Sequence, residues 1–386
     1  MKIALASQSK LKLQALQQAL KTSFGQDENP EIISFSVNHI PGQVPQPLFG
    51  GGRLMANKRQ ETVMQELQNS GDWEDFDLLV VIENYMDYKH LNWNDIALIR
   101  IYDLKNDLFY THLELCGTVP NGLPEGNADN EIELMGEVLA KENLIKNGST
   151  VIGSNITFGQ LYHQKYPKVP PDDWTSDVEY RSRQEALQDG LFNCLVDIFE
   201  NWRLLENVSN KFRYFPNFPQ HGVNFLSWDD LFLQPRLVSD FYNFLAQKYV
   251  NPEEAPLPVN QDKLVVDLVI GLESRGFLLS GPVADALGVG QIFIRKEGKV
   301  AGPKVTQKYV KEYGSDIFEL RADLPPKRVI LVDDVLATGG SLRAAAELAR
   351  QAGHTVVDSI VIKDVPSLRK KAKEKLKGVP YRVILS

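Results

Sequence analysis

Residues 329–341 constrain the fold of this chain more than any other stretch of its 386 residues. A run of apolar residues leads into the adjacent carboxylates Asp333 and Asp334, and a small-residue loop follows before a helical pattern. Such a run predicts a buried strand, and glycines let the loop turn its N–H groups toward a phosphate. The helix N-terminus favours the same ligand. The segment therefore predicts a phosphate-monoester site, with two carboxylates placed to bind vicinal hydroxyls and to stabilise positive charge on a sugar.

A plainer interpretation is a strand-to-helix turn in which Thr338 or Ser341 only caps the helix. A Gly-Gly pair by itself would favour that interpretation. Here the apolar run, the aspartate pair and the sequence Ala-Thr-Gly-Gly-Ser occur in one register, and this combination favours the phosphate site.

Both halves of the chain alternate β-branched runs with helical patterns, which predicts an α/β fold with a largely parallel sheet in each. A helical pattern ends near residue 205, and an aromatic, proline-rich stretch follows at 212–219. The predicted domains are therefore residues 1–207 and 208–386. The predicted strands are 2–6, 32–37, 78–82, 97–102, 264–272, 291–294, 328–332 and 356–362. The predicted helices are 10–20, 53–67 and 341–352, the last ended by Gly353.

The net charge of −8 conceals an asymmetry. Residues 1–210 hold 17 Lys and Arg against 30 Asp and Glu, a net charge of −13, and the remaining 25 and 20 give residues 211–386 a net charge of +5. A basic half suits a polyanionic small substrate.

The sequence contains no run of 18 apolar residues that would predict a membrane span, and Cys116 and Cys194 lack metal-type spacing. We expect a reduced, cytoplasmic protein that binds neither nucleic acid nor membrane.

Residues 329–341 resemble the phosphoribosyl pyrophosphate signature of type I phosphoribosyltransferases. Four further blocks, at residues 215–225, 271–277, 294–303 and 309–314, narrow the resemblance to the adenine phosphoribosyltransferases. Together they cover nearly all of residues 211–386. The resemblance implies a parallel sheet flanked by helices with a hood, Mg²⁺ as cofactor and a homodimer. It also implies a purine-salvage reaction in which adenine and phosphoribosyl pyrophosphate give AMP and pyrophosphate.

The resemblance implies a role for the residues of each block. Phe225 in the hood would stack on adenine, and Glu312 in the catalytic loop would exchange a proton with the purine. With Glu312, the catalytic residues would be Asp333, Asp334 and Arg275. Residues of three blocks would bind phosphoribosyl pyrophosphate: Glu273, Ser274, Arg275, Gly276, Arg295, Lys296, Lys299, Asp333, Asp334, Ala337, Thr338, Gly339, Gly340 and Ser341. Taken singly, these residues also fit a solvated loop, a core aromatic or a surface glutamate, and the family context favours the functional interpretation.

One departure concerns the hood. The family usually has Arg-Asp after the hood phenylalanine, where this chain has Leu226 and Ser227. Base recognition through the backbone would survive that change, but an arginine that orients Glu312 is lost. The departure predicts lower turnover or a broader preference for the base.

Residues 1–205 resemble, over shorter stretches, the inosine/xanthosine triphosphatases, which clear non-canonical purine nucleotides. The matching blocks are residues 6–15, 43–50, 56–59, 77–83 and 180–186. The resemblance implies an α/β triphosphatase-like domain in which Ser7, Gln8 and Lys10 hold a triphosphate and Glu83 is the catalytic acid. Asp75 and Asp77 are the candidate metal ligands.

Two departures weaken this second resemblance. Asn38 stands where a metal-binding acid is expected, and Tyr85 replaces a glycine that would allow close approach to the nucleotide. We therefore expect hydrolysis of ITP and XTP to be weak or absent, in a domain retained for dimerisation or for sensing purine nucleotides. The alternative is a bifunctional enzyme that also hydrolyses ITP and XTP.

A regulator that only binds phosphoribosyl pyrophosphate is a third hypothesis. Such a regulator could lose the catalytic loop and would usually carry a DNA-binding helix-turn-helix. The Glu312-Tyr313-Gly314 sequence is intact and no basic recognition helix is apparent, so the sequence favours an enzyme.

The role of Glu312 can be tested by Glu312→Ala. Loss of a general acid or base typically costs a factor of about 10²–10⁴, so turnover should fall by that amount. Binding of phosphoribosyl pyrophosphate, measured by calorimetry, should persist because Glu312 is expected to act on the base. Turnover near the wild-type value would remove Glu312 from the mechanism.

Overall fold

The structure, a computed structural model, describes residues 1–24, 30–37, 46–48, 51–89, 92–118, 144–147, 150–154, 157–178, 181–218, 221–222, 224–249, 266–310 and 315–385. The chain forms two compact units, Met1–Glu200 and Asn201–Ser386. The division falls inside the helix Arg183–Ser209. The boundary predicted after residue 207 lies near the end of the same helix.

The first unit contains a five-stranded sheet and a three-stranded sheet. The strands are β1 (Lys2–Leu5), β2 (Glu31–Ser34), β3 (Gln46–Pro47), β4 (Leu78–Lys89), β5 (Asn92–Asp103), β6 (Leu108–Thr118), β7 (Leu144–Asn147) and β8 (Thr150–Ser154). The helices are α1 (Lys10–Phe24), α2 (Gly51–Ser70), α3 (Phe158–Lys165), α4 (Thr175–Val178) and α5 (Arg183–Ser209), with a 3₁₀ turn at Asp72–Asp75. The sheet orders are β2-β1-β4-β5-β6 and β3-β8-β7.

The large sheet of the first unit is only partly parallel. Strand β1 is parallel to β2 and β4, but β4, β5 and β6 run antiparallel to one another. The prediction of a largely parallel sheet is therefore wrong for this unit. Residues 89 and 92 bound β4 and β5, so the connection is too short for the crossover of about a dozen residues that parallel strands need.

The second unit carries a two-stranded hood and a seven-stranded sheet. The strands are β9 (Arg213–Pro216), β10 (Asn224–Ser227), β11 (Leu268–Leu272), β12 (Gly290–Lys296), β13 (Lys304–Val310), β14 (Ser315–Arg321), β15 (Arg328–Leu336), β16 (Thr355–Asp364) and β17 (Arg382–Leu385). The helices are α6 (Asp229–Phe232), α7 (Pro235–Gln247), α8 (Gly276–Leu287), α9 (Gly340–Gln351) and α10 (Arg369–Lys375), with a 3₁₀ turn at Pro366–Leu368. Strands β9 and β10 form the hood, and the large sheet has the order β13-β14-β12-β11-β15-β16-β17.

The centre of the large sheet is parallel and fully buried. Strands β12, β11, β15, β16 and β17 are parallel neighbours, while β13 and β14 add an antiparallel edge. Every residue of β11 is buried, and Val329–Val332 of β15 have no exposed surface. Burial on both faces explains their continuous apolar runs. The mixed α/β class predicted for this half is confirmed. So is the helix ended by Gly353, which has a φ of +87°.

Neither cysteine has the exposure of a reactive thiol. Cys116 and Cys194 are buried and free, and burial raises the pKa of both thiols to about 12. Among the helices in the described ranges, none is long and apolar enough to cross a membrane.

His354 gives the second unit a pH-dependent stability. Its side chain is buried, and neither ring nitrogen has a hydrogen-bond partner among the described residues. Burial lowers its pKa below 6.5, so the folded state holds the neutral ring. The unfolded chain therefore gains a proton first as the pH falls below 6.5, and the fold loses stability with a slope of up to about 1.4 kcal/mol per pH unit.

We predict that His354→Leu removes this part of the pH dependence. Urea unfolding between pH 7 and pH 5 should show a smaller loss of stability than in the wild type. His221→Leu is the matched control, because His221 is exposed. Parallel wild-type and His354→Leu profiles over this range would show that the ring does not titrate as inferred.

Candidate active site

The carboxyl end of β15 brings two carboxylates together. Asp334 is 6% exposed, and its backbone N–H donates to Asp333 Oδ1 at 3.0 Å. Burial and the neighbouring Asp334 charge raise the pKa of Asp333 well above its ordinary value. Burial also raises the pKa of Asp334, although the Arg275 guanidinium opposes that shift. A cationic or hydroxylic group would therefore stabilise the ionised pair, which otherwise lowers the stability of the fold.

The loop after β15 has the backbone expected of a phosphate cradle. Gly339 has a φ of +77° and precedes α9, whose first residue is Gly340. The first N–H groups of a helix have no partner within it, and here they follow the buried Thr338. A Cβ on Gly339 would lie 2.9 Å from Leu376 Cγ. Packing therefore favours glycine at this position, because a side chain there would meet Leu376.

The loop Glu273–Gly276 lies beside the same strand end. The Glu273–Ser274 peptide bond is cis. Ser274 is exposed and Arg275 precedes α8. A Cβ on Gly276 would lie 2.4 Å from the Val332 carbonyl oxygen, so glycine is required for α8 to approach β15 this closely. The structure thus brings Arg275 and Gly276 to the aspartate pair.

The cations predicted to bind pyrophosphate contact carboxylates of the protein. Glu273 accepts from Arg295 Nε at 3.2 Å and from the Lys296 N–H at 2.8 Å, and it pairs with Lys299. Lys296 Nζ lies 3.8 Å from Asp316. Burial would raise the pKa of Glu273, but these hydrogen bonds outweigh it and hold the pKa at about 2. To bind Arg295 and Lys299, pyrophosphate would have to displace the Glu273 carboxylate from them.

Glu319 on β14 is a residue that the sequence interpretation missed. It is 3% exposed and accepts from the backbone N–H groups of Lys299 at 3.2 Å and Val300 at 3.1 Å. It also pairs with Lys304 Nζ at 2.8 Å. Glu319 therefore holds the turn that carries Lys299. Glu319 is one of three charged residues in β14, with Asp316 and Arg321, and the sequence of the strand does not indicate which of them is buried or which loop it contacts.

The hood presents aromatic rings beside the aspartate pair. Phe225 is partly buried, and Phe218 meets its ring edge-on at a centroid distance of 5.2 Å. Arg275 lies over the same ring. Ser227 Oγ donates to Asp229 at 2.9 Å, while Leu226 is buried. Of the two residues that depart from the family pattern, Leu226 therefore packs in the interior and Ser227 is hydrogen-bonded to Asp229 at the start of α6.

Glu312 lies outside the described residues, but Tyr309 on the preceding strand is described. Tyr309 is 7% exposed and stacks on Phe318 at a centroid distance of 4.3 Å. Burial raises the pKa of its hydroxyl to about 12, and the hydroxyl is hydrogen-bonded to Ser341 in the first turn of α9. Sequence interpretation missed this contact because the two residues are far apart in the chain.

In the first unit, Lys12 rather than Lys10 faces Glu83. Ser7 is buried and its Oγ accepts from the Ser9 N–H, but Gln8 and Lys10 are exposed. Lys12 Nζ donates to the Ile82 carbonyl at 2.6 Å. Burial lowers the pKa of Lys12 to about 8, against the attraction of Glu83. Lys10 and Lys12 are two residues apart, about half a turn of α1, so they point in opposite directions, and sequence spacing did not resolve which one points inward.

Glu83 belongs to a buried group of opposite charges. It is 4% exposed and pairs with Arg59 on α2. On β5, Asp95 has no exposed surface and lies 2.6 Å from Arg183 Nη2. The charges of Arg59 and Arg183 both act on Lys12. Three cations and two carboxylates thus share this region of the first unit.

The structure does not bring the candidate metal ligands Asp75 and Asp77 to Glu83. Asp77 precedes β4 and accepts from the Lys2 N–H at 2.7 Å and from Lys105 Nζ at 2.5 Å. Asp75 lies in the 3₁₀ turn before it and is exposed. Glu83 lies six residues further along the strand, about 20 Å away at 3.3 Å per residue. Within the described ranges, no group of three metal-binding side chains occurs. Asn38 lies outside those ranges.

Tyr85 is a core residue. It is 6% exposed and packs against α2, where a Cβ on Gly52 would lie 2.4 Å from Tyr85 Cδ1. At the position where the family resemblance implies a glycine for close approach to the nucleotide, Tyr85 therefore has a packing role. The ring occupies the space above Gly52, close to the start of α2.

The fold of the second unit is of the phosphoribosyltransferase type. A family model for the phosphoribosyl transferase domain matches residues 253–383. The adenine phosphoribosyltransferase of Candida albicans is 38% identical over 180 residues, 46% of this chain and 88% of that protein. That of Drosophila pseudoobscura pseudoobscura is 40% identical over 166 residues, 42% and 86% of the two chains.

A crystal structure of the Saccharomyces cerevisiae enzyme, complexed with adenine and an imino-altritol bisphosphate, is 32% identical to this chain. It matches 48% of this chain and 99% of that one with a TM-score of 0.42. On the strength of the curated relatives, the chain belongs to the adenine phosphoribosyltransferase family.

We predict that Asp333→Asn raises the stability of the protein at pH 7 and lowers its turnover. The raised pKa means that the fold favours the protonated acid, so an ionised Asp333 destabilises the protein at neutral pH. The amide should raise the melting temperature at pH 7, and the gain should vanish below pH 3.8, where the acid is protonated in both states. Turnover should fall by about 10² or more if the carboxylate stabilises the transition state.

Asp323→Asn is the matched control, because Asp323 is 45% exposed and paired with Arg321 at the surface. It should change neither quantity appreciably. A lower melting temperature for Asp333→Asn at pH 7 would contradict the inferred direction of the pKa shift.

Proposed function

We propose that the second unit transfers the phosphoribosyl group of phosphoribosyl pyrophosphate to adenine, the purine-salvage reaction of its family. The observation that carries this proposal is the paired carboxylate at the end of β15, followed by the positive-φ loop and the start of α9. In the reaction, N9 of adenine forms a bond to C1′ while the bond from C1′ to the pyrophosphate oxygen breaks. The products are AMP, pyrophosphate and the proton of adenine.

The scheme gives a role to each group of site residues. Asp333 and Asp334 bind the ribose hydroxyls and stabilise positive charge as C1′ loses its leaving group. The N–H groups around Gly339–Ser341 hold the 5′-phosphate. Phe225 stacks on the base, and Ser274 with Arg295, Lys296 and Lys299 receives the pyrophosphate. Glu312, from its sequence context, takes the purine proton.

Mg²⁺ fits this site as an ion that binds together with the substrate phosphates. Mg²⁺ usually binds one or two carboxylates together with substrate phosphates and keeps several waters. The adjacent Asp333 and Asp334 provide such carboxylates, and the described residues offer no cage of three protein ligands. Bound there, Mg²⁺ would neutralise charge on the pyrophosphate.

A panel of bases tests the proposal. The purified full chain, phosphoribosyl pyrophosphate and Mg²⁺ would be given adenine, hypoxanthine or guanine, and nucleotides would be separated by chromatography. We expect AMP as the main product. Formation of IMP or GMP at a higher kcat/KM than AMP would contradict adenine as the preferred base.

We also propose that the enzyme is a homodimer. Support comes from the family resemblance and from a partly exposed apolar group on α8 and β12, where Leu278 is 49% and Phe293 40% exposed. Light scattering of the full chain should give about twice the 43.5 kDa mass of the chain. A mass equal to that of one chain at micromolar concentration would contradict the dimer.

For the first unit, we propose a triphosphatase-like domain with weak or absent hydrolysis of ITP and XTP. Three features support weak activity. The Glu83 carboxylate is already paired with Arg59, Tyr85 fills the space beside Gly52, and Asp75 and Asp77 lie away from Glu83. A Mg²⁺-dependent hydrolase needs carboxylates that are free to share the metal with a triphosphate. The buried cations Lys12, Arg59 and Arg183 favour retained binding of a polyanion.

The full chain, without phosphoribosyl pyrophosphate, can be assayed for pyrophosphate release from ITP and XTP with Mg²⁺. We predict a kcat well below about 1 s⁻¹, the low end of ordinary enzyme turnover. ITP binding by calorimetry should weaken in Lys12→Gln and persist in Lys21→Gln, which alters an exposed lysine of the same helix. A kcat of about 1 s⁻¹ or more that Glu83→Gln abolishes would establish the bifunctional alternative.

A further inference from the structure

The Arg275 side chain contacts three separate elements of the second unit. Its Nη1 donates to the Leu226 carbonyl of the hood at 2.8 Å. Its guanidinium carbon lies 5.2 Å from the centre of the Phe225 ring. Its Nε lies 2.6 Å from Asp334 Oδ2 at the end of β15. One side chain therefore joins the ring proposed to stack on adenine with a carboxylate proposed to bind ribose.

The backbone explains why Arg275 can reach all three. Arg275 immediately precedes α8, and Gly276 lets that helix start against the Val332 carbonyl, where any Cβ would collide at 2.4 Å. The start of α8 is thus fixed beside the residue that precedes Asp333. From this position the arginine extends toward the hood, and its side chain is 33% exposed.

The chemistry of the three contacts requires a guanidinium. Asp334 has a side chain 9% exposed, and a carboxylate so buried needs a cationic partner. The planar guanidinium forms an ion pair with a carboxylate and donates a hydrogen bond to a carbonyl, while its face lies on an aromatic ring. A lysine ammonium is a compact charge and lacks this flat, forked geometry. Arg275 therefore lies between Phe225, which is proposed to stack on the base, and Asp334, which is proposed to bind the sugar. Arg295 and Lys299 contact Glu273 instead.

We propose that Arg275 is a positioning residue that couples the base subsite to the ribose subsite. It holds Phe225 and Asp334 at a fixed separation before the substrates arrive, so adenine meets C1′ already aligned. This inference deepens the proposed transferase mechanism and rests on the roles given there to Phe225 and Asp334. It also accounts for the altered hood: Leu226 contributes its carbonyl, and the cation comes from the start of α8.

The test compares Arg275→Gln and Arg275→Lys with Arg328→Gln. Arg328 is the control because it pairs with Asp267 at 2.8 Å near the amino end of β15, away from the site. Steady-state kinetics would give kcat and the KM of each substrate, and thermal melts would report folding. We expect kcat/KM for adenine to fall about tenfold or more in both Arg275 variants, within the range for contacting groups. The KM for phosphoribosyl pyrophosphate should change much less, and Arg328→Gln should match the wild type in kinetics.

Other outcomes would overturn the proposal. Full rescue by lysine would mean that only the charge matters. A selective rise in the KM for phosphoribosyl pyrophosphate would assign Arg275 to the pyrophosphate. A lower melting temperature with unchanged kcat/KM for adenine would make its role structural.

A double-mutant cycle with Phe225→Leu provides a second measurement. Because Arg275 acts through Phe225, the combined loss in kcat/KM should be smaller than the product of the separate losses. Independent, multiplying effects would contradict the coupling. If the wild type makes no AMP, the transferase function itself fails; if it makes AMP and Arg275→Gln makes it equally well, only the coupling fails.

Discussion

Two adjacent carboxylates at the buried end of a parallel strand are the constraint on which the second unit depends. Asp334 is almost fully buried, and an isolated buried charge is strongly unfavourable. Arg275 supplies the opposite charge, and Gly276 lets α8 start close enough for that contact. The same arginine holds the hood through the Leu226 carbonyl. Strand, helix and hood therefore meet around one charged pair.

The cations of both units are held by carboxylates of the protein. Glu273 and Glu319 hold Arg295, Lys299 and Lys304 in the second unit. Glu83 and Asp95 hold Arg59 and Arg183 in the first. Such pairing gives each of these cations a carboxylate partner while no anionic ligand is bound, and an anionic ligand must then compete with that carboxylate. The same pairing explains how several cations lie close together in the first half of the chain, whose net charge is −13. The electrostatic potential at a site depends most on the nearest charged groups.

Most residues that the sequence analysis proposed for the site of the second unit belong to short contiguous blocks. Asp333, Asp334 and Gly339 lie on one strand–loop–helix segment, and the apolar run before them is enough to predict a buried parallel strand. In the first unit, the same reasoning chose Lys10 and the pair Asp75 and Asp77. Helix phase turns Lys12 inward instead, and Asp77 pairs with Lys105 at the other end of β4. Errors of one or two residues reverse a side chain's direction, and spacing does not reveal them.

The sequence by itself determined the α/β class, the strand–loop–helix motif and the family of the second unit, because these depend on local patterns and contiguous residues. Only the tertiary structure decided what Arg275, Glu319 and Tyr85 contact. Arg275 meets Leu226 and Asp334, which lie 49 and 59 positions away, and no local pattern specifies such pairs. They follow from the packing of strands and helices, where one close approach at Gly276 sets the distance between groups remote in the chain.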